Sequence, residues 1–263
     1  MEYQGIILDV DGTVVRDAEP IDGAAEGLAA VEDAGLDRVF LSNNPTKRPK
    51  AYESRFAQAG FVVEREEVFT AGTVTTSYLQ DYHREDRLFL IGDPGLESQL
   101  TAAGLSVTAE PQTADVLLAS IDRSFSYETL CSAIVALDDE TEFIGTDPDL
   151  VIPQAGPNIP GSGAMIHAIE GVTGRDVEVI CGKPSRFARQ AVLSYLDVPP
   201  EACLVVGDRL DTDIKLGHEA GMTTVLVTTG VTDEKTLAAA SIEPDYVLDS
   251  LAGLEAVLNG VPE

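Results

Sequence analysis

Positive charge is what this 263-residue sequence has least of: 17 Lys plus Arg stand against 45 Asp plus Glu, giving a formal net charge of −28. Five of the basic residues are lysine. Such a surface carries no basic stripe for phosphate backbones, so nucleic acid is excluded as a partner. A disordered acidic chain is excluded as well, because 44% of the residues are apolar, enough for a real core. The self-repulsion of such a fold suggests a halophilic protein, adapted to molar salt where the Debye length is about 3 Å. There is no early apolar segment and no long apolar run. The expectation is therefore no signal peptide, no membrane span and a cytoplasmic location. Cysteine is scarce, and Cys131, Cys181 and Cys203 show no metal-ligand spacing, so they read as reduced, largely buried thiols. His83, His167 and His218 share no motif spacing and read as surface or helix-packing residues; Tyr52, Tyr78 and Tyr82 are candidates to line a pocket, with amphipathic packing the favoured reading.

What is present starts with Gly5-Ile6-Ile7-Leu8-Asp9-Val10-Asp11-Gly12-Thr13. A short apolar run reads as a buried strand that ends on two acids one residue apart. In extended backbone, residues i and i+2 point the same way, so Asp9 and Asp11 would both project from the strand's carboxyl end, where open α/β sheets place ligands. Close carboxylates repel unless a cation or proton lies between them. A hard divalent metal such as Mg²⁺ suits these oxygens, and a carboxylate can itself attack phosphorus. The alternative at this point is an ordinary acidic turn, since Asp-Gly is a common turn pair.

Further along, Ala24 to Gly35 reads as a helix with a glycine stop, and Arg38 to Leu41 as a strand leading to Ser42-Asn43-Asn44-Pro45. From about Val74 to Val177 the pattern changes. Strand candidates there are Leu88 to Ile91, Val116 to Ser120 and Glu142 to Ile144; helical stretches are Gly95 to Ala103, Ser126 to Leu137 and Gly163 to Gly171. The Gly156 to Gly163 segment lacks a P-loop lysine and reads as a turn and helix start. After it come a strand over Val177 to Ile180, Lys183 between Gly182 and Pro184, and a helix over Arg186 to Leu196. The buried strand Cys203 to Gly207 runs into Asp208-Arg209-Leu210-Asp211-Thr212-Asp213, then Thr223 to Val227, Tyr246 to Leu248 and a helix over Leu251 to Leu258 complete the chain. This alternation predicts an α/β fold with a doubly wound parallel-sheet core, residues 1–73 and 178–263, and a smaller α/β domain inserted at 74–177.

Asp9 and Asp11, Ser42, Lys183, then Asp208 and Asp213, each at a strand end and in that order, resemble the four motifs of the haloacid dehalogenase (HAD) superfamily of phosphatases. Ile21-Asp22-Gly23-Ala24, Leu41-Ser42-Asn43-Asn44-Pro45-Thr46-Lys47, Gly145-Thr146-Asp147-Pro148-Asp149 and Gly182-Lys183-Pro184-Ser185 extend the likeness to the NagD-like, p-nitrophenylphosphatase-like subfamily with a type IIA cap. Asp147 departs from that pattern, which usually has asparagine there. The resemblance implies a Rossmann-like HAD core and makes the insert a cap that closes on the substrate.

It also implies a Mg²⁺-dependent phosphatase of small-molecule phosphomonoesters. Asp9 would be the nucleophile that forms an aspartyl-phosphate, and Asp11 the general acid and base. Mg²⁺ would be held by Asp9, Asp208 and the backbone carbonyl of Asp11. Ser42, the Asn43 amide and Lys183 would bind the phosphate, with Lys183 neutralising charge, and Asp213 would orient Lys183 or metal-bound water. Asn44 is a candidate to face the substrate, and the group admits a homodimer. Two other readings use the same core: a phosphotransferase or mutase acting on a sugar phosphate, and a non-catalytic phosphate-binding regulator. The intact set of Asp9, Asp11, Lys183 and Asp208 speaks against the regulator.

Overall fold

In the computed structural model, which describes residues 3–154 and 157–260, the chain divides into two compact units. The first holds the chain up to Ser42, Pro49–Phe69 and the chain from Ala188 onward; the second holds Asn43–Arg48 and Thr70–Phe187.

The first unit is built on a six-stranded sheet in the order Tyr246–Leu248, Thr223–Val227, Cys203–Gly207, Gly5–Leu8, Asp37–Ser42, Val68–Thr70. The pairings that join the first five of these are parallel. Gly5–Leu8 and Cys203–Gly207 are buried throughout, as their unbroken apolar runs require of strands covered on both faces. Ile6, Leu8, Phe40, Phe56, Leu204 and Val206 form the centre of the core. Leu8 is in register with Val206 on one side and Phe40 on the other, so Asp9, Asp208 and Ser42 all emerge at the same carboxyl edge.

The second unit repeats the plan with five parallel strands in the order Val179–Ile180, Glu142–Gly145, Val116–Ala119, Arg87–Ile91, Ser106–Thr108. Three of its helices begin at side-chain caps: Thr70 accepts from Thr73 N, Asp93 from Gly95 N, and Ser126 from Thr129 N. Leu117, Phe143, Ile166 and Ile169 fill its core.

Several elements differ from the sequence reading. The strand expected over Val177 to Ile180, after the insert, is shorter, Val179–Ile180, and pairs with Glu142–Gly145 in the sheet of the second unit, while the Val177 amide donates to the Glu170 carboxylate. The expected helix over Leu251 to Leu258 starts as a 3-10 turn, Leu251–Gly253, capped by Ser250, before the α-helix Leu254–Leu258. Unforeseen are the helices Pro49–Gln58 and Ala71–Tyr82, the strands Val68–Thr70 and Ser106–Thr108, and a small hairpin of Val15–Arg16 with Glu19–Pro20. Within the expected turn over Gly156 to Gly163, Ile159–Pro160 pairs with Val151–Ile152, and Gly156 lies outside the described residues. Cys181 and Cys203 are buried, and burial pushes both thiols up to about 12, but Cys131 is exposed, contrary to a general burial of the thiols. Among the described residues, no helix is long and apolar enough to cross a membrane.

Candidate active site

At the carboxyl edge of the first sheet, carboxylate oxygens of Asp9, Asp208 and Asp213 lie within 4.8 Å of one another, and all three residues are buried. Each arrives by a local necessity of the chain. Asp9 and Asp208 directly follow the paired strands Gly5–Leu8 and Cys203–Gly207. Asp213 returns to the same edge on a single wide π-helical turn, Leu210–Ile214, whose Asp213 and Ile214 amides both donate to the Arg209 carbonyl.

The backbone closes in so tightly that only glycine fits around these acids. A Cβ on Gly230 would lie 1.8 Å from Asp208 Oδ2, and one on Gly207 would lie 2.3 Å from the Asp213 carboxyl carbon. Gly12 has φ +98°, and its Cβ would meet Asp208 Oδ2 at 2.5 Å. Amides and hydroxyls then fix the carboxylates: Val231 N donates to Asp208 Oδ2 at 2.6 Å, Arg209 N to Asp213 Oδ2 at 3.1 Å, and Thr13 Oγ1 to Asp9 Oδ2 at 3.2 Å. Thr229 Oγ1 donates to the Gly12 carbonyl at 2.6 Å, tying the two loops together. An all-oxygen donor set of this kind suits a hard divalent cation.

Asp11, two residues beyond Asp9, is half-exposed and is paired with Arg55, whose Nη2 donates to Asp11 Oδ1 at 2.6 Å. Burial alone would lower the Arg55 pKa, but the Asp11 hydrogen bond and charge more than offset it and raise it. Ser42 is buried, with its Oγ 2.9 Å from the Tyr52 hydroxyl. Burial, and then the charge of Asp11, push the Tyr52 phenol far up, so it stays neutral.

In the second unit Lys183 is buried, and its backbone is locked to Asn43: Lys183 N donates to Asn43 Oδ1 at 2.7 Å, and Asn43 Nδ2 donates to the Lys183 carbonyl at 3.2 Å. Asn43 Nδ2 also donates to Asp149 Oδ1 at 3.2 Å. Gly182 permits this approach, since its Cβ would come within 2.7 Å of Asn43 Oδ1. Asn44 uses its side-chain carbonyl to accept from Thr46 N and Lys47 N, which fixes the turn. Asp147 is buried, accepting from Thr146 Oγ1 at 3.0 Å; burial, and then the charge of Asp149, push its carboxyl up to about 8.

The structure thus brings Asp9, Asp208 and Asp213 together, with Asp11 and Ser42 on the same unit, and joins Asn43 to Lys183 on the other. Sequence reasoning passed over Thr13 and Arg55 and assigned Tyr52 to packing. The signal available for the last two was spacing: Tyr52 and Arg55, three apart in a helix, share its buried face with Phe56.

A family model described as haloacid dehalogenase-like hydrolase matches residues 6–106, and a second, HAD-hydrolase-like, matches 180–254. An acid sugar phosphatase of Staphylococcus epidermidis is 31% identical over 95% of this chain and 95% of its own. Among solved structures, the p-nitrophenyl phosphatase of Archaeoglobus fulgidus has a TM-score of 0.90 at 30% identity, covering 98% of this chain and 100% of that one. NagD of Escherichia coli has a TM-score of 0.85 at 29% identity, covering 96% and 98%. Motif order, fold and near full-length likeness agree: the chain is an enzyme of the haloacid dehalogenase-like hydrolases, in their NagD-like, type IIA cap group.

Proposed function

We propose that this enzyme is a Mg²⁺-dependent phosphatase that hydrolyses small-molecule phosphomonoesters through an aspartyl-phosphate on Asp9. The observation that carries the reading is the buried Asp9, Asp208 and Asp213 cluster with the half-exposed Asp11 two residues from Asp9. The acid sugar phosphatase and p-nitrophenyl phosphatase among its relatives support the substrate class.

In the first half-reaction an Asp9 carboxylate oxygen bonds to phosphorus while the ester P–O bond breaks, and Asp11 gives its proton to the departing oxygen. In the second, Asp11 takes a proton from water as the water oxygen bonds to the same phosphorus, which frees inorganic phosphate and restores Asp9. Asp9, Asp208 and the Asp11 carbonyl would hold Mg²⁺, and Asp213 would orient its waters. When bound, the ion supplies positive charge against the nucleophile and the phosphoryl oxygens. Ser42 Oγ and the Asn43 amide are assigned to the equatorial phosphoryl oxygens, with Tyr52 fixing the Ser42 hydroxyl. The role given to Lys183, neutralising charge, rests on its motif. A substrate dianion gains nothing from a protein of charge −28, so the attraction has to come from these local groups. The free thiols fit a reducing cytoplasm.

The test is phosphate release from a panel of sugar, nucleotide and nitrophenyl phosphates, with and without Mg²⁺, for the native enzyme beside Asp9→Asn. Release that needs Mg²⁺ and vanishes in the variant supports the reading. Release that survives in Asp9→Asn refutes it.

A further inference from the structure

On the Pro49–Gln58 helix, Tyr52, Arg55 and Phe56 turn inward and are buried. A buried guanidinium is costly unless its donors find acceptors. Those of Arg55 do: Nη2 donates to Asp11 Oδ1 at 2.6 Å, and Nε donates to the Asp17 carbonyl. Asp17 lies in the turn of the Val15–Arg16 and Glu19–Pro20 hairpin at φ +54°, a left-handed conformation that aspartate tolerates better than most residues. The guanidinium also lies over the Tyr52 ring, 5.8 Å from its centroid.

The two partners are unequally exposed. The Asp11 side chain is 53% exposed and that of Arg55 10%. An ion pair with so exposed a partner contributes little to stability. What an exposed aspartate lacks is a fixed rotamer, and proton transfer at a reacting centre requires one. Arg55 can impose it, because its stem is buried and its second donor is tied to the hairpin.

We propose that Arg55 is a positioning residue for Asp11: anchored by the Asp17 carbonyl and the Tyr52 ring, its guanidinium holds Asp11 Oδ1 and leaves Oδ2 as the oxygen that gives and takes the proton. The proposal rests on the acid–base role given to Asp11 above. In the first half-reaction the proton passes from Oδ2 to the departing oxygen as the P–O bond breaks. In the second, water returns a proton to Oδ2 as its oxygen bonds to phosphorus and the bond from phosphorus to the Asp9 carboxylate oxygen breaks.

The experiment compares kcat/KM on 4-nitrophenyl phosphate, whose leaving group needs little protonation, with that on glycerol phosphate, whose alkoxide needs it fully. In Arg55→Gln the fall is expected to be about tenfold larger on the alkyl ester than on the aryl ester, the skew that a misplaced general acid produces. Introduced into Asp11→Asn, the same substitution is expected to change the alkyl-ester value by less than about threefold, because the two side chains act as one unit. Arg55→Lys, which keeps the charge without the fork, is expected to fall between native and Arg55→Gln. An even fall on both esters in Arg55→Gln, beside a skewed fall in Asp11→Asn, overturns the proposal alone. Even falls in Asp11→Asn remove the acid role itself, and the proposal with it. If Arg55→Gln does not fold by circular dichroism, Arg55→Lys carries the same ester comparison. Failure of both to fold makes Arg55 a folding residue and overturns the proposal.

Discussion

The two units are variations on one plan, a parallel sheet flanked by helices, yet their strand ends carry opposite chemistry. In the first, the edge after Gly5–Leu8 and Cys203–Gly207 gathers three buried carboxylates under glycines that leave no room for a Cβ. In the second, the edge after Val116–Ala119 and Glu142–Gly145 gathers hydroxyls around Asp147: Thr146 Oγ1 lies 3.0 Å from Ser120 Oγ, 3.2 Å from Ser162 Oγ and 3.0 Å from Asp147 Oδ2. The first set offers three carboxylates whose oxygens lie within 4.8 Å of one another, a donor set that suits a hard cation. The second is satisfied by its own hydrogen bonds, and burial drives its acid toward the neutral form. Architecture sets where polar groups can converge; residue choice at a few strand ends decides what they do.

The largest effects separate the units by what each substitution removes. Asp9→Asn and Asp208→Ala are expected to lower turnover by about 10⁴-fold or more and also to abolish the rise in Tm that the proposed site predicts for the native enzyme on adding Mg²⁺. Lys183→Ala is expected to lose turnover severely while keeping the Mg²⁺ shift, since a lysine ammonium has no lone pair to offer a metal. A lost Mg²⁺ shift in Lys183→Ala would erase the distinction. Next in size is Gly230→Ala. Its Cβ has no space beside Asp208, so Mg²⁺ affinity, read by titration calorimetry, is expected to fall by roughly 10- to 100-fold, the usual cost of disturbing the support of a metal ligand.

How much of this was legible in the sequence follows from the range of each interaction. Asp9, Asp11, Ser42, Lys183 and Asp208 could be read because each sits next to a strand whose apolar run marks itself. The Rossmann-like alternation was legible for the same reason. Short pieces such as Val15–Arg16 and Ser106–Thr108 are held by pairing with distant chain and carry no period of their own. Arg55 and Tyr52 went unassigned because their partners, Asp11 and Ser42, are 44 and 10 residues away. Asp213 reads as an outer residue by motif; that its carboxylate lies within 4.8 Å of those of Asp9 and Asp208 follows from the π-helical turn, which carries no periodic signal in the sequence.

A smaller effect concerns the buried acid of the second unit. The Asp147 carboxyl is raised above its unfolded value, so between about pH 4 and pH 8 the folded chain binds more protons than the unfolded one, and stability falls as pH rises through that window. Asp147→Asn, which keeps the shape without the charge, is expected to raise Tm by a few degrees at pH 8 and by much less at pH 5. An equal change at both values would show that Asp147 is not the group that titrates. The smallest contrast is global: with a net charge of −28, denaturant midpoints are expected to rise with KCl up to molar concentration as repulsion is screened. A midpoint indifferent to salt would mean that the acidic surface costs the fold little.

The central claim is that Asp9 becomes covalently phosphorylated, and acid quenching tests it most directly. Native enzyme mixed with radiolabelled phosphomonoester and Mg²⁺, then quenched within the first turnover, should carry label on the denatured chain. Hydroxylamine should release that label, as it does from acyl phosphates, and Asp9→Asn should carry none. Turnover without any chain-bound label, or equal labelling of Asp9→Asn, would contradict the account.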